Sequence, residues 1–207
     1  MIPVKILAVR YLANASASLA KALGAPEGYP SLAILTTDSD DPTYIALDQA
    51  TKDAQVTVCY GRSFYAGAGN STTPYAGEVI GILAGATPGA VRSGMEAAMG
   101  ALERIGFEEV QGVPYLAHTV SASGRYLSRQ AGVQPGTALA YLIAPPMEAL
   151  EALDAALKTA AVELGIFYPP PSETNFGGGL LSGTQSACDA ACAAFAAAVA
   201  EVAQNPK

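Results

Sequence analysis

Part of this chain is written twice. Residues 46–56, Ala-Leu-Asp-Gln-Ala-Thr-Lys-Asp-Ala-Gln-Val, are echoed by residues 152–162, Ala-Leu-Asp-Ala-Ala-Leu-Lys-Thr-Ala-Ala-Val. A second echo follows in the same order, where Gly-Ile-Leu-Ala-Gly at 81–85 is answered by Gly-Leu-Leu-Ser-Gly at 179–183, each leading into an Ala-rich stretch. Two separated segments agreeing in order imply a duplicated unit of about half the chain rather than one undivided core. Gly112 and Pro114 interrupt the periodic pattern near residues 109–114, which sets the expected domains at 1–110 and 111–207.

Within each copy the pattern reads strand, helix, strand, loop, strand, helix. In the first, residues 32–35 form a strand, 43–54 a helix, 56–59 and 79–83 two more strands. Thr87 then caps a helix that carries Pro88 in its first turn and runs to about residue 105. The second copy repeats this with strands at 139–143, 162–167 and 180–181 and helices at 147–160 and 184–203. Leading strands at 4–10 and 116–120 complete two α+β units in which helices cover a sheet. Two long loops occupy equivalent places: residues 61–74, with Gly61, Gly67, Gly69 and Asn70, and residues 168–179, with three prolines and then Gly177, Gly178 and Gly179. Loops of this length inside compact units are commonly functional.

Composition removes several classes of function. Hydrophobic residues make up 51% of the 207, enough to fill packed cores. The formal charge of -7, with no cluster of Lys and Arg, excludes a nucleic-acid partner. Only 14% of residues are charged, against roughly a quarter in an ordinary soluble domain, which suggests surface given over to subunit contacts. No membrane span is expected, because Asp189 and Glu201 break the apolar C-terminal stretch, and Arg10 cuts the N-terminal apolar run too short for a signal peptide. An odd cysteine count without a CxxC pair fits free thiols in a reducing cytoplasm.

Motifs for catalysis are equally thin. Ser18-Leu19-Ala20-Lys21 matches an SxxK pattern but lacks a companion Lys-Thr-Gly. His118 is the only histidine and sits in an apolar strand, where a structural role is the commoner one. Cys188 and Cys192 share a helix face as small packing residues. The glycine-rich 67–72 segment lacks the Gly-Lys-Ser/Thr end of a phosphate loop. The chain is not expected to be an enzyme.

The Ala-Leu-Asp-x-Ala-x-Lys-x-Ala-x-Val helix and the Gly-flanked strand resemble the bacterial microcompartment shell domain, and two in one chain resemble its tandem-domain, trimeric class. Asp38-Ser39-Asp40-Asp41-Pro42-Thr43-Tyr44, Tyr60-Gly61-Arg62-Ser63, Ala76-Gly77-Glu78-Val79 and Ala144-Pro145-Pro146-Met147-Glu148-Ala149 are similar to shell proteins of ethanolamine utilisation. The likeness extends from about residue 6 to about residue 206.

That resemblance implies two circularly permuted, ferredoxin-like domains, and a homotrimer that mimics a hexamer and meets other shell proteins edge to edge in a cytoplasmic microcompartment. It implies a central opening gated by the two long loops, with Gly67, Gly69, Asn70, Gly177 and Gly178 in them. It also implies an ethanolamine-type site in a smaller pore of each subunit, matched here by Asp40, Asp41, Phe107, Thr174, Asn175 and Phe176. An ammonium wants carboxylates, a hydroxyl wants an amide or hydroxyl, and an aromatic face supports the cation. For Asp-Asp-Pro alone, capping of a helix that starts at Thr43 is the simpler reading. Glu78 and Glu148 match carboxylates associated with zinc in the family, yet two carboxylates make a poor structural zinc site, so no cofactor is required and a metal would be adventitious or regulatory. The rival reading is a metabolite-sensing binding protein with the same domains and no assembly.

Overall fold

The computed structural model describes residues 1–64 and 75–207, which divide into two compact units. The N-terminal lobe comprises Pro3–Ile105 together with Gly124–Tyr126, and the C-terminal lobe comprises Met1–Ile2, Gly106–Ser123 and Leu127–Lys207. Each lobe therefore takes a short segment from the other's stretch of sequence.

In the N-terminal lobe the order is β1 (Ile6–Leu12), α1 (Ala17–Ala22), β2 (Ser31–Thr37), α2 (Asp40–Asp53), β3 (Val56–Ser63), β4 (Val79–Gly85) and α3 (Pro88–Leu102). Its antiparallel sheet runs β1-β2-β4-β3. The C-terminal lobe follows with β5 (Glu108–Val110), β6 (Val113–Val120), α4 (Arg125–Ala131), β7 (Ala138–Ala144), α5 (Pro146–Thr159), β8 (Val162–Tyr168), β9 (Gly177–Gly183) and α6 (Gln185–Gln204). Its sheet runs β5-β6-β7-β9-β8, the same order with one short strand added at the edge.

The duplication extends to register. Ser31 pairs with Gly85 as Ala138 pairs with Gly183, and the irregularity between Val58 and Tyr60 recurs between Leu164 and Ile166. Thr87 and Thr184 cap the last helix of each copy, each side chain accepting from the backbone N–H three residues on. The strand Ala138–Ala144 is buried throughout, as a central strand with a near-continuous apolar sequence should be. It packs with α5 and α6 around Leu142, Leu153, Leu181 and Phe195. In the N-terminal lobe Leu32, Ile82 and Ala84 gather Leu23, Ala25 and Tyr29 on one side of the sheet.

Three expectations need correction. Helix α2 begins at Asp40 rather than Thr43, because Ser39 is the extended residue before it, so Asp40 and Asp41 lie in its first turn instead of capping it. Strand β9 begins at Gly177: Gly177 and Gly178 pair with Ala144 and Ile143, and the second long loop ends at Phe176. The glycines allow this, since a side chain at Gly178 would strike the Leu142 carbonyl. Finally, α6 does reach the length and mean hydropathy of a membrane span, but Phe195, Val199, Ala191 and Cys188 on it are fully buried in the lobe's core. Residues 18–21, which the sequence places on an amphipathic helix, lie in α1, whereas the short helix α4 and the edge strand β5 were not part of the coarse pattern.

Candidate functional site

The start of α2 collects most of the polar chemistry of the N-terminal lobe. Asp40 and Asp41 are each only 7% exposed, both in the first turn, where carboxylates complement the helix dipole. Asp41 N–H donates to Asp40 Oδ1 at 2.9 Å. Beneath them the hydroxyls of Thr37 and Thr43 meet at 2.7 Å, and Thr43 Oγ1 donates to the Ser39 carbonyl at 2.7 Å. One turn along, the Tyr44 hydroxyl lies 2.7 Å from Ser63 Oγ, and its ring sits 6.1 Å from that of Tyr126. Burial raises the Tyr44 phenol well above its ordinary value; Ser63 pulls it back, while Tyr126, Asp40 and Asp41 push it further up.

Two more carboxylates border this turn. Asp38 accepts the Lys5 backbone N–H at 2.7 Å, and the Glu78 N–H donates to the Thr37 carbonyl at 2.9 Å. The Glu78 carboxyl is raised from its ordinary value, first by burial and then by the charges of Asp40 and Asp38. The region favours a cation over an anion.

The C-terminal lobe holds the other half of the expected ligand set. The rings of Phe107 and Phe176 meet with centroids 5.7 Å apart and planes inclined at 52°. Phe176 ends a tight loop in which Ser172 N–H donates to the Phe176 carbonyl at 2.7 Å and Asn175 N–H donates to the Ser172 carbonyl at 3.1 Å. Asn175 reaches this turn with φ of 67°, a left-handed conformation that asparagine tolerates better than most residues. Thr174 N–H approaches Ser172 Oγ at 3.4 Å.

The structure thus joins Phe107 to Phe176 in one lobe and Asp40 to Asp41 in the other. Gly67, Gly69 and Asn70 lie outside the described residues. Sequence reasoning missed Tyr44 and Tyr126 as partners of the acidic turn; Tyr44 stands three residues after Asp41, hence on the same helix face, but nothing local announces Tyr126.

Zinc is not supported by the residues present. Glu78 and Glu148 fall in different lobes, and among the described residues no group of three or more His, Cys, Asp or Glu could hold a metal ion. Nucleophilic chemistry fares no better: burial holds the Cys59 and Cys192 thiols up at about 11, leaving them protonated at neutral pH.

Residues 31–114 match the BMC domain family. The chain is 54% identical to the bacterial microcompartment shell protein EutL of Clostridium perfringens over 97% of its own length and 94% of the relative's. It is 48% identical to the EutL shell protein of Escherichia coli with the same coverage. The crystal structure of the ethanolamine utilization protein EutL from Leptotrichia buccalis superposes with a TM-score of 0.94 at 56% identity, covering 99% of this chain and 96% of that one. EtuB from Clostridium kluyveri shares the fold alone, with a TM-score of 0.81 at 19% identity over 96% of this chain and 88% of that one. The two α+β lobes are accordingly tandem shell domains, and the protein is structural rather than catalytic. With this fold, this repeat and this similarity across nearly its whole length, the chain belongs to the EutL family of bacterial microcompartment shell proteins.

Proposed function

We propose that three copies of this chain close into a pseudohexameric tile of the microcompartment shell, with a gated central opening and a small metabolite pore in each subunit. The observation that carries this reading is the repeated four-stranded arrangement, which shares its strand order between the two lobes and repeats the register and bulge of the β3–β4 pair in the β8–β9 pair. Three chains with two like lobes each present six like edges, and such a tile can meet six neighbours. Residues 61–74 and 168–176 are the segments we assign to the central opening.

The smaller pore suits a compact cation bearing a hydroxyl, of the ethanolamine type. Asp40 and Asp41 supply charge, Thr174 and Asn175 supply hydroxyl and amide groups, and the Phe107–Phe176 pair supplies an aromatic wall. The similarity to a protein titled for ethanolamine utilization supports the choice of solute.

Mass measurement with electron microscopy tests assembly: trimers that lay down flat hexagonal arrays are expected, whereas a monomer that forms no arrays would favour the sensing protein. Calorimetry with ethanolamine tests the ligand. Asp40→Ala and Asn175→Ala should each weaken binding at least tenfold, the loss of about 1.4 kcal/mol expected for a charged or amide hydrogen bond; unchanged affinity in both removes the site.

A further inference from the structure

Phe107 and Phe176 form one aromatic wall, but their backbones are fixed in different ways. Phe176 is held from within its own loop, where its carbonyl accepts the Ser172 N–H at 2.7 Å. Phe107 lies between the end of α3 at Leu102 and the start of β5 at Glu108, where neither a helix nor a strand sets its position. Its carbonyl accepts the N–H of Ile2 instead.

Residues 1–2 meet three successive positions around that ring. Besides the bond to Phe107, the Met1 amine lies 3.0 Å from Glu108, and on the other side a Cβ at Gly106 would strike the Ile2 carbonyl and stand 3.1 Å from Met1 Cγ. Glycine at 106 is what lets the two backbones lie against each other. Pro3 restricts the residue before it to extended backbone, which presets Ile2 for pairing. Apolar burial is not what holds the segment, since Met1 and Ile2 are 58% and 42% exposed. Its contact with the C-terminal lobe is made by the backbone, and through the backbone it reaches Phe107.

Resting on the ethanolamine-type reading of the site, we infer that residues 1–2 are a positioning strap which holds Phe107 against Phe176, and that the packed pair makes the site select a small primary ammonium over a quaternary one. Aromatic side chains hold a quaternary ammonium best when they stand apart and enclose it. Here the two rings pack on one another, with centroids 5.7 Å apart, and leave no slot between them for a trimethylated head. A primary ammonium needs only an outer face of the wall and hydrogen-bond acceptors elsewhere. Gly106 and Pro3 act on this choice without touching the solute: Gly106 admits the strap, and Pro3 keeps it extended. Loosening either frees Phe107 to move off Phe176, which opens the wall to the bulkier cation.

Calorimetry with ethanolamine and with choline tests this on the full chain. Gly106→Ala should weaken ethanolamine binding about three- to tenfold, the range an aromatic contact is worth, and should narrow the preference for ethanolamine over choline. Pro3→Ala, at an exposed position, should act in the same direction by about twofold. Both variants should keep the far-ultraviolet circular dichroism of the unaltered chain, because residues 1–3 lie outside every helix and strand. In a Phe107→Leu chain, Gly106→Ala should cost nothing further, since two changes that act through one contact do not add. An equal loss with and without the Phe107 ring would overturn the strap's role. So would unchanged affinity and unchanged preference in both Gly106→Ala and Pro3→Ala, which would leave the site itself standing. An unaltered chain that binds no ethanolamine removes the site and the strap together.

Discussion

Asp48 carries more of the N-terminal lobe than its sequence position suggests. Its carboxylate is fully buried and accepts two backbone N–H groups. Truncation would leave both donors in the core without their acceptor. Charge-assisted hydrogen bonds of this kind contribute about 2 to 3 kcal/mol, so Asp48→Ala should lower the free energy of unfolding in urea by that amount, with Asp48→Asn losing less because one acceptor oxygen remains. Equal losses from the two substitutions would mean that the carboxylate's charge and acceptor geometry are not what holds the segment. The alignment of Asp48 with Asp154 was legible in the sequence. Their different fates were not, because Asp154 pairs with Lys158 at the surface, whereas the backbone donors that Asp48 accepts come from 76 residues away and beyond.

At the same scale, Glu78 illustrates how the acidic turn acts on stability. Its folded-state carboxyl is raised from an ordinary value of 4.5, first by burial and then by Asp40 and Asp38. A raised carboxyl binds its proton more tightly folded than unfolded, so stability falls as pH climbs from 4.5 through the folded value. Glu78→Gln should raise the melting temperature modestly at neutral pH and leave it unchanged well below 4.5, the effect being small because the side chain is only partly buried and solvent screens its charge. Thermal melts at two pH values read this, and an equal shift at both would show that charge is not the cause.

Among the elements, the glycine-flanked strands explain why the second echo exists at all. A Cβ on Gly81 would meet the Leu47 side chain at 2.5 Å, and one on Gly179 would meet the Ile166 backbone carbonyl at 2.5 Å. A leucine methyl can rotate aside; a paired strand carbonyl cannot. Overpacking costs about 1 to 3 kcal/mol, so Gly179→Ala should fall at the upper end and Gly81→Ala at the lower, read from urea midpoints of the two variants, and the reverse order would refute the packing argument. Strand and helix order was legible from periodicity, caps and glycines. A helix around residues 18–21 was legible as an amphipathic stretch and is α1, but α4 was not, since it spans barely two turns and derives its stability from tertiary contact. The Gly177–Gly183 strand was read too short because three glycines signal a loop locally, whereas here they pair with β7, and neighbouring groups come too close for a side chain: Pro170 at Gly177, the β7 backbone at Gly178 and the β8 backbone at Gly179. The ligand residues were legible only through resemblance: Asp-Asp-Pro has an ordinary meaning at a helix start, and although Tyr44 follows on the same helix, only the fold puts Tyr126 beside it.

On the scale of the whole molecule, the duplication was plain in the sequence but the exchange of segments was not, because an echo reports what is alike and the exchanged pieces are short. Met1–Ile2 belongs with the C-terminal lobe, where Ile2 N–H donates to the Phe107 carbonyl and the Met1 amine lies 3.0 Å from Glu108. Gly124–Tyr126 belongs with the N-terminal lobe, where Arg125 Nη2 also donates to the Val56 carbonyl at 2.7 Å. A chain divided after Arg104 therefore yields two fragments that each lack a piece of their own lobe and carry a piece of the other. Co-expressed, the fragments should purify together and unfold in one transition. Alone, the first fragment leaves Asp48 without its backbone donors and should be less stable by about the same 2 to 3 kcal/mol as Asp48→Ala, a loss that adding the second fragment restores. If the first fragment alone unfolds at the urea concentration that unfolds the intact chain, the exchanged segment contributes nothing to stability. Asp48 would then owe its burial to α2 and the sheet rather than to residues 124–126.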